Sequence, residues 1–250
     1  MKIRSMCDLF GMSCNHEDRA TLSLRNFATE TSEHNSHGWG IAFFDDGHAI
    51  VERASDDDAE IPAVENEKFF DAVEKAKSKN IIAHTRRSTC GSHCELDCHP
   101  FTAKHFGREW VFAHNGQIFN EWERREDAQG HTDSESLFLE IMDYAENYMN
   151  NTEKIHGLYP AIKHALKKIL NKYRLNLNFL LTDGDMYYVF NHYSSKPMYM
   201  LRRMKGYGPV LLLSTQELDL NDRHRWEKLP SDQLLVLNCG EIIVLSDKLN

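Results

Sequence analysis

No apolar run in this sequence approaches the ~20 residues that a membrane-spanning helix requires. The opening Met1-Lys2-Ile3-Arg4-Ser5-Met6 is basic, yet no apolar core follows it, which excludes a secretory signal. Basic residues are in deficit: 29 Lys and Arg stand against 38 Asp and Glu, a formal net charge of −9. That balance argues against a nucleic-acid binder, because phosphate contacts need clustered cations. The six prolines are scattered, and there is no repeat, low-complexity tract or Pro/Gly/Ser-rich linker. One continuous domain, 1–250, is expected. Six cysteines without a secretory signal read as reduced thiols in a cytoplasmic protein. With 41% hydrophobic residues, a 250-residue chain can bury a full core.

The apolar residues fall into strand and helix patterns in mixed order. Leu9 to Cys14 is a short strand. Trp39 to Phe44, then Asp45-Asp46-Gly47, then His48 to Val51 reads as a hairpin whose Asp-Gly turn supplies positive φ. Glu67 to Lys77 carries Phe69, Phe70, Val73 and Ala76 at helical spacing. Asn80 to His84 and Trp110 to His114 are strands. Thr132-Asp133-Ser134-Glu135 matches a capping box and starts a long helix with Leu137, Phe138, Ile141 and Met142 on one face. Pro160 to Tyr173 is a second helix. The last third is strand-rich, with candidates over 179–182, 187–192, 198–202, 210–215, 234–238 and 241–245. Pattern alone supports an α+β fold with antiparallel sheets.

Cys7 directly follows Met6. A cysteine at a chain start carries two catalytic groups: a thiol that attacks carbonyls, and an α-amine whose ordinary pKa of ~7.7–8.0 suits a general base. Taken alone, an early cysteine is more often a buried apolar filler. Its company changes that reading. Met6-Cys7-Asp8-Leu9-Phe10-Gly11, His37-Gly38-Trp39-Gly40-Ile41-Ala42-Phe43, Ala83-His84-Thr85-Arg86-Arg87-Ser88-Thr89-Cys90-Gly91 and Ala113-His114-Asn115-Gly116 follow one another, joined by Cys98-His99-Pro100-Phe101 and Gly130-His131-Thr132-Asp133-Ser134-Glu135. In this order and spacing they resemble the class II glutamine amidotransferases, a branch of the N-terminal-nucleophile hydrolases. The small stand-alone members are the most similar. The resemblance covers about residues 6 to 140 and implies a four-layer α/β/β/α sandwich of two antiparallel sheets.

It also implies roles. Cys7 attacks a glutamine-type amide and forms a γ-glutamyl thioester, with its own α-amine moving the protons. Asn115 and the backbone N–H of Gly116 stabilise the tetrahedral oxyanion; standing alone, Asn-Gly would be read as a hairpin turn. Arg86 clamps the substrate α-carboxylate in bidentate fashion. Asp133 takes the α-ammonium, and its place in a helix's first turn suits capping as well. Thr89 lies near the carboxylate, Gly38 and Trp39 line the substrate side, and the glycines Gly38 and Gly40 let their strand pass close to Cys7. His84, His99 and His114 hydrogen-bond within the core around the site. No cofactor is expected. The partner is a small molecule, glutamine or another γ-glutamyl compound, with an ammonia-accepting protein possible.

Three features depart from the family pattern. Residues 1–6 precede Cys7 and are expected to be absent from the mature enzyme. Arg87 occupies a position that is often aromatic along an ammonia passage in synthetase-fused relatives. Cys90, Cys94 and Cys98, with His93 and His99, could ligate zinc or an iron–sulfur cluster, although the paired Cys-x₂-Cys spacing is missing. Two other functions stay open: a catalytically inactive glutamine-binding or regulatory relative, and a Cys/His metal-binding protein.

Overall fold

The computed structural model describes residues 7–32, 34–55, 62–87, 94–152, 157–219 and 225–249. Thirteen strands are described: β1 (Asp8–Arg19), β2 (Trp39–Asp45), β3 (His48–Ala54), β4 (Lys77–Thr85), β5 (Phe101–His105), β6 (Arg108–Ile118), β7 (Leu175–Thr182), β8 (Met186–His192), β9 (Tyr199–Lys205), β10 (Gly208–Ser214), β11 (Glu227–Lys228), β12 (Leu234–Asn238) and β13 (Glu241–Leu245). Four α-helices accompany them: α1 (Thr21–Ser32), α2 (Glu67–Lys75), α3 (Asp133–Asn150) and α4 (Leu158–Lys172).

The strands form two sheets in which every pairing is antiparallel. One has the order β11-β9-β10-β1-β4-β2-β3, the other β13-β12-β8-β7-β6-β5. Successive strand residues point to opposite faces, and three apolar layers result. Leu9, Ala42, Ile82, Ala113, Leu180 and Leu213 fill the space between the sheets. Phe10, Phe27, Ile41 and Phe69 pack the first sheet against α1 and α2. Phe112, Phe138, Ile141, Ile169 and Phe179 pack the second against α3 and α4. This is the expected four-layer sandwich. No described helix is long and apolar enough to cross a membrane.

The expected hairpin joins β2 to β3, with Asp46 (φ 50°) and Gly47 (φ 82°) in the turn, as a type I′ turn demands. Thr132 caps α3 by accepting from Glu135 N at 3.2 Å. The reciprocal half of the capping box is absent among the described contacts. The Glu135 carboxylate reaches back past the cap and accepts from Gln129 N at 2.9 Å and Gly130 N at 2.7 Å, tying the preceding loop to the helix. The strand expected to end at His114 continues to Ile118. Helix α1 and strand β5 were not anticipated, although Leu24, Phe27, Ala28 and Thr31 form a buried stripe at helical spacing.

Candidate active site

Strand β1 lies at the centre of the seven-stranded sheet, between β4 and β10. Cys7 is the residue immediately before it. Asp8 pairs with Thr85 and Leu9 with His84, so the cysteine emerges where β4 gives way to Arg86 and Arg87. The Cys7 thiol is clasped by one residue's backbone: Sγ donates to the Arg87 carbonyl at 3.2 Å and accepts from the Arg87 N–H at 3.1 Å. Burial pushes the thiol above its ordinary pKa, while the Arg87 N–H and the cations of Lys196 and Arg86 pull the other way. The balance leaves a neutral thiol at pH 7, which needs a base before it can attack.

Asp8 anchors the strand from the opposite face. It is fully buried. One oxygen accepts from Thr215 Oγ1 at 2.7 Å and pairs with Lys196 Nζ at 2.8 Å. The other accepts from Asn35 Nδ2 at 2.8 Å and Gln216 Nε2 at 3.0 Å. A buried carboxylate is tolerated when it is paired and hydrogen-bonded in this way. Lys196 also donates to the Cys7 carbonyl at 2.7 Å, and its own carbonyl accepts from Asn178 Nδ2 at 2.7 Å. Asn178 pairs with Asn115 in the β6–β7 ladder. A chain of neighbours therefore runs from the nucleophile's backbone, through Lys196 and Asn178, to Asn115.

Asn115 is 1% exposed, and neither atom of its side-chain amide has a hydrogen-bond partner among the described residues. By alternation it faces the inter-sheet space, as Ala113 does. Leu9 lines the same space, and Cys7 precedes it by two residues. A buried amide left unpaired carries a desolvation cost that a ligand oxygen can relieve. Gly116 is not at positive φ and does not form a turn. It sits inside β6, opposite Leu177. Glycine is required because a Cβ would be driven into the Asn176 carbonyl and the His114 ring. The alternative reading of Asn115-Gly116 as a hairpin turn is corrected by this ladder.

Arg86 is buried at the end of β4, with its N–H bonded to the Gly38 carbonyl at 2.7 Å. Its guanidinium acts electrostatically on Cys7, His84 and His99, which places a cation beside the Cys7 thiol. Asp133 is 8% exposed at the start of α3. Its Oδ2 accepts from Ile118 N at 3.3 Å and its Oδ1 from Ser134 Oγ at 3.2 Å. These contacts tie Asp133 to the strand that carries Asn115. Gly38 has φ 135°, and a Cβ there would stand 2.7 Å from Cys98 Sγ. At Gly40 a Cβ would strike the His99 carbonyl, so this glycine makes room for the 98–100 segment rather than for Cys7.

Trp39 departs from expectation. It shares its strand face with Ile41 and Phe43, belongs to the α1–α2 layer and packs edge-on against Phe69 at 5.3 Å. Its side chain therefore points away from the face that holds Cys7 and Asn115. Period-two alternation puts Gly40, rather than Trp39, on the inner face. Thr89, Cys90 and His93 lie outside the described residues.

Three histidines cluster beneath the site. The His84 and His99 rings are 4.3 Å apart, and His99 and His114 are 6.4 Å apart. The expected core hydrogen bonds are clearest at His114: Nε2 faces the Asn176 carbonyl at 3.2 Å and Nδ1 faces Ser134 Oγ at 3.0 Å. The His84 ring meets the His114 backbone, and the ring nitrogens of His99 have no partner among the described residues. Burial holds all three below the ordinary histidine range. The Cys98 thiol turns toward the Ala54 carbonyl at 3.6 Å and toward Arg86, and burial raises it to about 11. The Cys98 thiol also reaches the Cys94 carbonyl at 3.8 Å.

Lys196, Asp8, Asn178 and the Arg87 backbone are site groups that sequence reasoning missed. Asp8 had a readable signal, a carboxylate heading an apolar strand. Lys196 had none, because Ser194-Ser195-Lys196-Pro197 reads as a solvated turn.

The model of the family described as "Glutamine amidotransferases class-II" matches residues 6–221. A Haemophilus influenzae protein assigned provisionally to the glutamine amidotransferases is 29% identical over 206 residues, covering 80% of this chain and 67% of that one. A crystal structure of a Pseudomonas aeruginosa protein assigned to the same group superposes with TM-score 0.64 at 22% identity, over 95% of this chain and 100% of that one. The glutamine phosphoribosylpyrophosphate amidotransferase of B. subtilis superposes with TM-score 0.66 at 14% identity. In that pairing 98% of this chain covers 49% of the other, so the likeness is to about half of the larger enzyme.

Proposed function

The chain belongs to the class II glutamine amidotransferases, and from that premise we propose that it hydrolyses a γ-glutamyl amide through a thioester on Cys7. The observation that carries this reading is the buried Asn115 amide, unpartnered on the inter-sheet face. Among the described residues this buried amide has its hydrogen bonds unspent, and an oxyanion is a group that would take one.

The α-amine of Cys7 accepts the thiol proton as Sγ attacks the amide carbon. The carbonyl oxygen becomes an oxyanion held by Asn115 Nδ2 and the Gly116 N–H. Collapse breaks the C–N bond, and the amine returns the proton to the leaving ammonia or amine. Water then adds to the thioester with the α-amine again as base, and its collapse releases glutamate and restores the thiol. Arg86 and Asp133 hold the α-carboxylate and α-ammonium of the glutamyl group. The base exists only in a chain that begins at Cys7, so loss of residues 1–6 belongs to this proposal. Hydrolysis is favoured over ammonia transfer because Arg87 takes a position that is often aromatic along an ammonia passage in synthetase-fused relatives, and its Nη1 donates to the His34 carbonyl at 2.9 Å. We place the enzyme in the cytoplasm, where a thiol nucleophile stays reduced.

A chain starting at Cys7, tested with glutamine, glutathione and γ-glutamyl amines, is expected to release glutamate from at least one of them. The comparison of kcat/KM ranks the leaving groups. Cys7→Ala is expected to abolish turnover. Glutamine binding without turnover in the Cys7-start chain would overturn the enzymatic reading in favour of a glutamine sensor. Full activity of a chain shown by intact mass to retain residues 1–6 would overturn the α-amine as base.

A further inference from the structure

Three donors of different chemistry converge outside the active centre. The ligand atoms of Cys94, Asp97 and His131 all lie within 4.8 Å of one another. Cys94 immediately precedes the short 3-10 turn Glu95–Asp97, and its free thiol makes no capping bond. Asp97 closes that turn and is fully buried. Its Oδ1 accepts from His131 N at 2.6 Å and stands 3.6 Å from His131 Nδ1. The backbones of the two segments are packed hard together. A Cβ on Gly130 would meet the Leu96 carbonyl at 2.6 Å and Asp97 Oδ1 at 2.7 Å. The carboxylate and the imidazole are therefore held face to face by the fold, unlike acids that drift on an open surface.

We infer that Cys94, Asp97 and His131 form a divalent-metal site selective for zinc. Thiolate, imidazole and carboxylate together suit zinc and disfavour calcium and magnesium, which take oxygen ligands. Zinc bonds of ~2.0–2.3 Å set tetrahedral donor separations of about 3.3–3.8 Å. Side-chain rotation of Cys94 and of His131, which is 59% exposed, closes the remaining distance without moving the backbone. Ligation releases the Cys94 thiol proton to solvent, and water completes the tetrahedron. The site lies directly before Thr132, the cap of α3, and two residues before Asp133. A bound ion would staple the 94–97 segment to the start of that helix and so fix one wall of the substrate pocket. The site differs from the Cys90/Cys94/Cys98 set suggested by spacing, because Cys98 faces Arg86.

The test uses the full chain carrying Cys7→Ser, so that the active-centre thiol cannot contribute. Titration with Co²⁺ is expected to give one equivalent of tightly bound metal with a thiolate-to-cobalt charge-transfer band, displaced by Zn²⁺. Adding Cys94→Ser abolishes the band. Adding His131→Asn weakens binding beyond the ~10–100-fold typical of losing an outer partner. Cys98→Ala leaves both unchanged, and circular dichroism verifies that each variant is folded. Absence of a band, or a band that survives Cys94→Ser and His131→Asn, overturns the site.

Discussion

The Lys196 ammonium donates to the backbone carbonyl of Cys7 at 2.7 Å, so a cation from a surface turn is held at the root of the nucleophile. A neighbouring positive charge disfavours the protonated form of an amine. Under the proposed mechanism, Lys196 is expected to lower the pKa of the Cys7 α-amine in a chain that starts at Cys7. Lys196→Met is expected to shift the acid limb of the kcat/KM profile to higher pH and to cut kcat about 10–100-fold, within the range of general acid–base effects. Lys196→Arg restores part of both. A variant that melts earlier with its acid limb unmoved would assign Lys196 a structural role only.

Asn115 separates catalysis from stability. Its amide has no partner to lose, so Asn115→Ala is expected to change unfolding free energy by about 1 kcal/mol or less while lowering kcat ~10²–10³-fold. The adjacent Gly116→Ala reverses the pattern, because the added methyl collides with the Asn176 carbonyl. Its expected cost is ~1–3 kcal/mol or more. Thermal unfolding and single-turnover kinetics on both variants check the contrast, and equal stability losses would contradict it.

Arg86 and Trp39 divide in another way. Arg86→Met removes the proposed carboxylate clamp and is expected to raise KM roughly 10–100-fold, matching the ~1.5–3 kcal/mol of a charged hydrogen bond. Trp39→Phe trims a core ring that packs on Phe69. It should lower Tm by a few degrees and leave KM unchanged. A Trp39→Phe enzyme with normal Tm and raised KM would return the indole to the substrate side.

The buried histidines make stability sensitive to acid. Burial depresses His84, His99 and His114 in the folded state, whereas the unfolded chain protonates near ~6.5. Above that pH both states are neutral and the stability is fully present. Below it the unfolded chain takes up protons the folded chain refuses, so each histidine costs about 1.4 kcal/mol per pH unit until its folded pKa is reached. His99→Phe removes one titrating ring that has no hydrogen bond to lose and sits 4.5 Å from Phe101. Urea unfolding at pH 7, 6 and 5 should show a shallower decline for this variant. An identical slope would mean that His99 is not one of the groups responsible.

Sequence patterning by itself determined many of the local elements and the α+β, antiparallel class, whereas the four-layer arrangement was implied by the family resemblance. Alternation in Trp39–Phe44, the Asp46-Gly47 turn, the Thr132 cap and the stripes on α3 and α4 are local signals. Each depends on neighbours within a few residues, and the local energetics that wrote them can be read back directly. Cys7, Arg86, Asn115 and Asp133 were candidates through the resemblance carried by the short runs that hold them, in their order along the chain. Only the tertiary structure decided how those runs meet. It placed Trp39 in the helix-side core, kept Asn115-Gly116 inside β6, grouped Cys94 with Asp97 and His131, and brought Lys196 across 189 residues to the Cys7 carbonyl. Contacts of that range are set by sheet order and by which strand face turns inward, and no window of sequence around a turn lysine carries that information.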